Sequence, residues 1–276
     1  MPGARAAQAA GADEFWVVED LGWGGGISAA AAALAAVETM AVGIGVCPAP
    51  LRSPVLLAME FALLARLHPG RFLPGIGHGV QDWMRSVGVA PRSPLALLEE
   101  TVTTVKDLMA GRTVRLDGRE VHVEGTTLIH PVDPVPPVVT GVLGPKSLEL
   151  SGRVADGTLL VEGTGPDLVA RAREAIDRGR AAAGRSDPHR ILVFLGAHVT
   201  DDPAVADEVG GRAAQGFADF LHVPVEQAFV AVGPPGLVAE RVAQLWDAGV
   251  DSVILRPLGP DLGGQSIRAL EAVRAG

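Results

Sequence analysis

The chain has no tyrosine, one cysteine, only 4% aromatic residues and a formal net charge of −9. Each shortage excludes something. Cys47, being alone, permits no internal disulfide and no cysteine-based zinc cluster, which suits a reducing cytoplasm. With acidic charge in excess and no cluster of Lys and Arg, a nucleic-acid partner is not expected, because a polyanion would be repelled. The Ala-rich run Ala29–Ala36 is too short to span a bilayer and Glu38 closes it, so no membrane partner is expected either. The N-terminal stretch MPGARAAQAAGADE lacks the apolar core of a signal peptide. These readings together predict a soluble, cytoplasmic protein. Also absent are a Walker-type GxxxxGK[ST], a GxGxxG after a strand, an HExxH pair and a GxSxG elbow, so P-loop, Rossmann, zinc-protease and serine-hydrolase readings fall away. No metal site is expected from the seven histidines.

What is present is a regular alternation of apolar strands and helical segments. Strands are predicted at 15–18, 41–47, 72–76, 138–142, 158–161, 191–199 and 252–255. Helices are predicted over Pro54–Leu67, Ser93–Met109, Asp167–Ala183, Pro235–Ala248 and Gly264–Arg274, with Ser28 as cap of a helix over the Ala-rich run. Asp117-Gly118 lies between VRL and VHV and reads as a hairpin over 113–124, and residues 201–230 read as a helical insertion. Apolar strands alternating with helices indicate a parallel sheet buried on both faces. At 276 residues the expected closure is an α/β fold of TIM type, a (β/α)8 barrel forming one domain over 1–276. A doubly wound open sheet is the structural alternative. A regular barrel needs eight strands and seven are visible. The first is expected to lie before residue 1, since the opening residues read as the end of a helix feeding the first visible strand.

The segment Val138–Val161 carries the most chemistry. An apolar strand runs into Gly144-Pro145, and proline suits the first turn of a helix. The free N–H groups near Lys146 and Ser147 would then form an anion site, most suited to a phosphate. The glycines of Gly77-His78-Gly79 permit close backbone approach to a ligand, and His78 can donate or relay a proton. Glu19 and Asp20 end the first strand, where barrel enzymes place reactive groups. Cys47 reads as a buried small apolar residue rather than a nucleophile.

Five segments, taken in order, resemble the luciferase-like monooxygenase superfamily, in its bacterial flavin- or coenzyme F420-dependent branch. They are FWVVED at 15–20, VGIGVCPAPLRSP at 42–54, HPGRFLPGIGHGVQDWM at 68–84, GPKSLELSGRVADGTLL at 144–160 and AERVAQLWDAGVDSVIL at 239–255. The resemblance implies a barrel holding F420, with FMN as alternative, at the strand C-termini. It implies an oxidoreductase performing hydride transfer or oxygenation on a small organic substrate. A homodimer is expected separately, because a barrel left open by a missing strand would expose apolar edges. Relatives often carry an acid followed by His where Glu19-Asp20 stands, which makes Asp20, then Glu19, with His78, the catalytic candidates. A non-proline cis peptide between Gly45 and Val46 is implied as a bulge backing the deazaflavin ring. Cofactor contacts are implied for Gly45, Val46, Cys47, Gly77, Gly79 and for Gly141, Val142, Leu143, Gly144, Pro145, Lys146 and Ser147. Val80 stands where some relatives have a catalytic Glu. The alternative from another class is a non-catalytic barrel acting as a cofactor-binding or interaction protein.

Overall fold

A computed structural model describes residues 1–276. In chain order it contains α1 (Pro2–Ala9), β1 (Glu14–Val17), α2 (Gly26–Ala36), β2 (Ala41–Ile44), β3 (Cys47–Pro48), α3 (Pro54–Leu67), β4 (Phe72–Leu73), β5 (Gly75–Gly77), α4 (Gln81–Ser86) and α5 (Pro94–Met109). The hairpin β6 (Val114–Asp117) and β7 (His122–Thr126) follows, then β8 (Val139–Gly141), α6 (Pro145–Val154), β9 (Gly157–Leu160) and α7 (Pro166–Ala182). The chain ends with β10 (Arg190–Val199), α8 (Pro203–Leu221), β11 (Ala231–Gly233), α9 (Pro235–Asp247), β12 (Ser252–Pro257) and α10 (Leu262–Ala275).

Helix starts follow from local chemistry. Proline occupies the first turn of α3, α5, α6, α7, α8 and α9, where its missing N–H costs no helical bond. Ser93 caps α5 by accepting from the Ala96 N–H at 3.4 Å. Ser28 does not cap α2: that helix begins two residues earlier, and the Glu19 carboxylate accepts the Gly26 N–H at 3.0 Å instead. The reason is tertiary, since a carboxylate from the end of β1 reaches the free donors before a serine in the first turn can.

Parallel ladders join β1 to β2, β2 to β4, β3 to β5, β5 to β8, β8 to β9 and β9 to β10. Beyond that, β10 is long enough to pair β12 over Leu192–Ala197 and β11 over Ala197–Val199. Strands β2 and β3 form one path broken at Gly45–Val46, which is a cis peptide as the family resemblance implies. The ring is a TIM-type β/α barrel, with α-helices outside and a continuous aliphatic core running from Ala4 to Ala272. No ladder joins β12 to β1. Glu14 crosses that seam, accepting from Arg190 Nη2 at 2.7 Å and from Ser252 Oγ at 3.1 Å. The short β11, absent from the sequence-based strand list, lies just after the expected insertion, whose helical part is α8 and a 3-10 turn at Val225–Gln227. The six-residue helix α4 is also absent from the sequence-based helix list. No helix is long and apolar enough to cross a membrane.

Candidate active site

A cavity of about 920 Å³ opens at the C-terminal ends of the strands, where such barrels carry their chemistry. It lies between the ends of β1, β5, β8, β9 and β12 and one face of α8.

Its floor is built by Val46. The Val46 side chain nests against glycines of the neighbouring strands. A Cβ on Gly77 would stand 2.5 Å from Val46 Cγ2, and one on Gly141 would stand 2.7 Å from Val46 Cγ1. Glycine at 77 and 141 is therefore a condition for the bulge to sit where it does. Beside it, a Cβ on Gly45 would meet Leu159 Cδ2 at 2.7 Å. Gly79 adopts φ +68°, a conformation suited to glycine, and turns the chain past Pro48 and Met84.

His78 and Ser147, distant in sequence, are brought together: His78 Nε2 lies 2.9 Å from Ser147 Oγ in the first turn of α6. His78 Nδ1 is buried without a hydrogen-bond partner. Burial holds this imidazole below its ordinary pKa, opposed in part by the Pro94 carbonyl. Burial thus favours the neutral ring, with Ser147 on Nε2 and the Pro94 carbonyl close by. Gly144, Pro145 and Lys146 are exposed at the rim, at the free end of α6. Leu143 is exposed too and lines the cavity with Gly141 and Val142.

The two acids at the end of β1 separate by environment. Glu19 is 8% exposed and fully engaged: Arg52 Nη1 donates to Oε2 at 2.6 Å, Arg52 Nη2 donates to Oε1, and so does the Gly26 N–H. Asp20 points into the cavity with no such partner. Burial raises its pKa; Arg256 pulls the value down and Glu162 pushes it up. Cys47 is fully buried under the floor, outside the cavity lining. Its thiol is pushed well up by burial and by Glu19, which leaves it inert as a nucleophile. Gly77 is likewise beneath the lining.

Sequence reasoning missed Glu162, at the end of β9, and Arg256, near the end of β12, which form an ion pair at the cavity wall. It also missed Arg212, Phe217 and Phe220 of α8. Arg212, Gly216 and Phe220 recur at i, i+4, which marks one helix face and was the available signal. The charge-bearing strand end VILRP was the other. No group of His, Cys, Asp and Glu has the arrangement of a metal site.

A parallel barrel with a glycine-lined floor, an acid and a neutral imidazole at the strand C-termini has the architecture of a barrel enzyme that seats a flat cofactor. The chain belongs to the luciferase-like monooxygenase family, whose model matches residues 3–223, and with it to that family's oxidoreductases. It is 25% identical over 295 residues to the 5,10-methylenetetrahydromethanopterin reductase of Methanolobus tindarius, covering 94% of this chain and 90% of that protein. Among solved structures, an F420-dependent secondary alcohol dehydrogenase bound to an F420-acetone adduct superposes with TM-score 0.84 at 19% identity. That match covers 99% of this chain and 94% of the other. The oxygenating component of 3,6-diketocamphane monooxygenase from Pseudomonas putida, in complex with FMN, superposes with TM-score 0.75 at 16% identity, covering 99% and 90%.

Proposed function

We propose that the chain is an F420-dependent oxidoreductase exchanging hydride with a small organic substrate, with FMN as the second cofactor the cavity would take. The observation that carries this reading is the Val46 floor and the glycines that make room for it at 77 and 141. A flat tricyclic ring needs a smooth apolar backing and close backbone approach, and this floor supplies both. When bound, the cofactor supplies or accepts hydride at C5 of the deazaflavin or N5 of the flavin.

The chain's own residues have distinct tasks. Val46 backs the ring, and Gly79, Gly141 and Val142 border it. Ser147 holds His78 in place at the cavity wall. The N-terminus of α6, from Gly144 to Ser147, offers N–H groups to the cofactor phosphate, with Lys146 adding charge. Asp20 holds and returns a proton, its carboxyl raised above the ordinary aspartate value by burial. Phe217 and Phe220 exclude water from the α8 side. Glu19 acts through position, fixing the end of β1.

The same reading takes the protein to be a cytoplasmic homodimer. It is supported by α3, which turns Leu56, Met59, Leu63 and Leu67 outward at helical spacing, the pattern with which one helix packs on another.

Equilibrium titration of the purified chain with F420 and with FMN tests the cofactor claim. Saturable binding of F420 at micromolar concentration, tighter than FMN, is expected. If neither binds below about 1 mM, the oxidoreductase reading fails.

A further inference from the structure

Arg256 makes a single hydrogen bond, from Nη1 to the Glu162 carboxylate. Its Nη2 and Nε have no protein partner, and the side chain is 40% exposed and lines the cavity. Glu162 behind it is only 12% exposed. A buried carboxylate thus fixes a guanidinium from one side and leaves the remaining donors turned to open space. A planar fork of N–H donors held this way matches an oxyanion group.

The surroundings narrow the choice of anion. Charged or titratable groups facing this part of the cavity are Asp20 from β1, His78 after β5, Glu162 after β9, Arg212 from α8 and Arg256 itself. Arg212 is already paired with Glu208 on its own helix at 2.7 Å, and Glu19 is consumed by Arg52. Arg212 keeps free donors as well, but its partner is an exposed carboxylate on its own helix, whereas Arg256 is held by the mostly buried Glu162 and stands beside Asp20. A singly charged group meets less repulsion from Asp20 and Glu162 than a phosphate dianion does. The adjoining wall is apolar, formed by Leu159, Val161, Phe194, Phe217 and Phe220.

We infer that Arg256 is the substrate anchor, and that the substrate class is a small carboxylic acid with an apolar body, its carboxylate on Arg256 and its reacting carbon between Asp20 and the Val46 floor. This rests on the reading above only in giving the Val46 side to the cofactor and the opposite side to substrate. A carboxylate docked on Arg256 also cancels the cationic field that favours ionised Asp20, so anchoring draws a proton onto Asp20. The anchor thereby loads the acid that the reaction uses.

The test uses redox-inert probes and calorimetry on the full chain: 3-phenylpropanoate, its methyl ester and 3-phenylpropyl phosphate. Each is measured with no cofactor and again with saturating F420 or FMN, in two buffers of different ionisation enthalpy. The acid is expected to bind at least tenfold tighter than the ester and tighter than the phosphate, with proton uptake that grows as pH is lowered toward the carboxylate range and that Asp20→Asn abolishes. Arg256→Met is expected to erase the preference for acid over ester, and Arg256→Lys to keep part of it, with unchanged melting and circular dichroism as the fold check. Equal affinity for acid and ester overturns the inference. So do a preference that survives in Arg256→Met, a preference for the phosphate, absence of proton uptake, or no binding of any probe below about 10 mM. Displacement of the acid by F420 overturns it as well, since the two would share one seat. Failure of both cofactors to bind, with acid binding intact, refutes the cofactor reading and leaves the anchor standing.

Discussion

Replacing Arg52 by methionine removes the cation that Glu19 was folded around and leaves the apolar stem in place. The cost can be worked from the site. Glu19, 8% exposed, loses two charge-assisted hydrogen bonds and keeps only the Gly26 N–H. Glu60 lies 3.7 Å from Arg52 Nε, and its Oε2 is buried without a hydrogen-bond partner, so the substitution leaves two carboxylates sharing a pocket with no counter-ion. Breaking a buried pair from one side costs about 3–5 kcal/mol. Arg52 keeps 19% exposure, which places the expected loss near the lower end, about 3 kcal/mol. Unfolding entropy for a chain of this length is roughly 0.6 kcal/mol/K, so the melting temperature should fall by about 5 °C. Urea denaturation and calorimetry at pH 7 measure both quantities. The double variant Glu19→Gln with Arg52→Met removes the charge and keeps an acceptor for Gly26, so it should recover part of the loss. A single-variant loss under about 1 kcal/mol, or a double variant as unstable as the two single losses added, would refute the reasoning.

Three further variants have expected outcomes. Asp20→Asn should lower proton-coupled turnover by about 10²–10⁴-fold. Because the folded state raises the Asp20 pKa, its ionisation opposes folding as pH rises from the ordinary aspartate value through the folded one. The Asn variant should therefore melt higher than wild type at pH 7, and the gap should close in acid. His189 accepts or donates to Thr158 Oγ1 at 2.8 Å, and burial, with Arg180 and Arg185 nearby, lowers its pKa to about 4. The unfolded chain takes up that proton first as pH falls, so stability should be lost between about pH 6.5 and 4. His189→Gln should flatten that slope in denaturant titrations at pH 7 and 5. Leu63→Glu on the outward face of α3 should shift the sedimentation coefficient from dimer to monomer without lowering the melting temperature of the monomer; an unchanged coefficient sinks the α3 interface.

Much of the fold was legible because its signals are local. Pro54, the Ser93-Pro94 pair and Pro145 each fix a helix start through backbone chemistry within one turn, and the three helices begin there. The strands before and after α6 could be read from their apolar runs for the same reason. β11 could not: three residues between loops carry no period, and they pair only because β10 extends past its neighbours to Val199. The cap on α2 misled for a related reason, since Ser28 is a good local candidate and the distant Glu19 won the donor. Gly45, Val46 and Gly141–Leu143, expected at the cavity from strand ends and from the family resemblance, line it, whereas Gly144–Ser147 lie outside its lining. The Glu162–Arg256 pair joins residues that the sequence separates by two further strands and three helices, and nothing local connects them. The α8 face was written in the spacing of Arg212, Gly216 and Phe220, but what that face would look at was not.

The cofactor seat is tested most directly by titrating F420 into wild type and Gly141→Val, following its fluorescence. A side chain at 141 would collide with Val46, a Cβ alone coming within 2.7 Å of Cγ1, and would push the floor into the cavity. The seat predicts micromolar binding to wild type and at least a tenfold loss in the variant, with circular dichroism unchanged. Equal binding by the two proteins would contradict it.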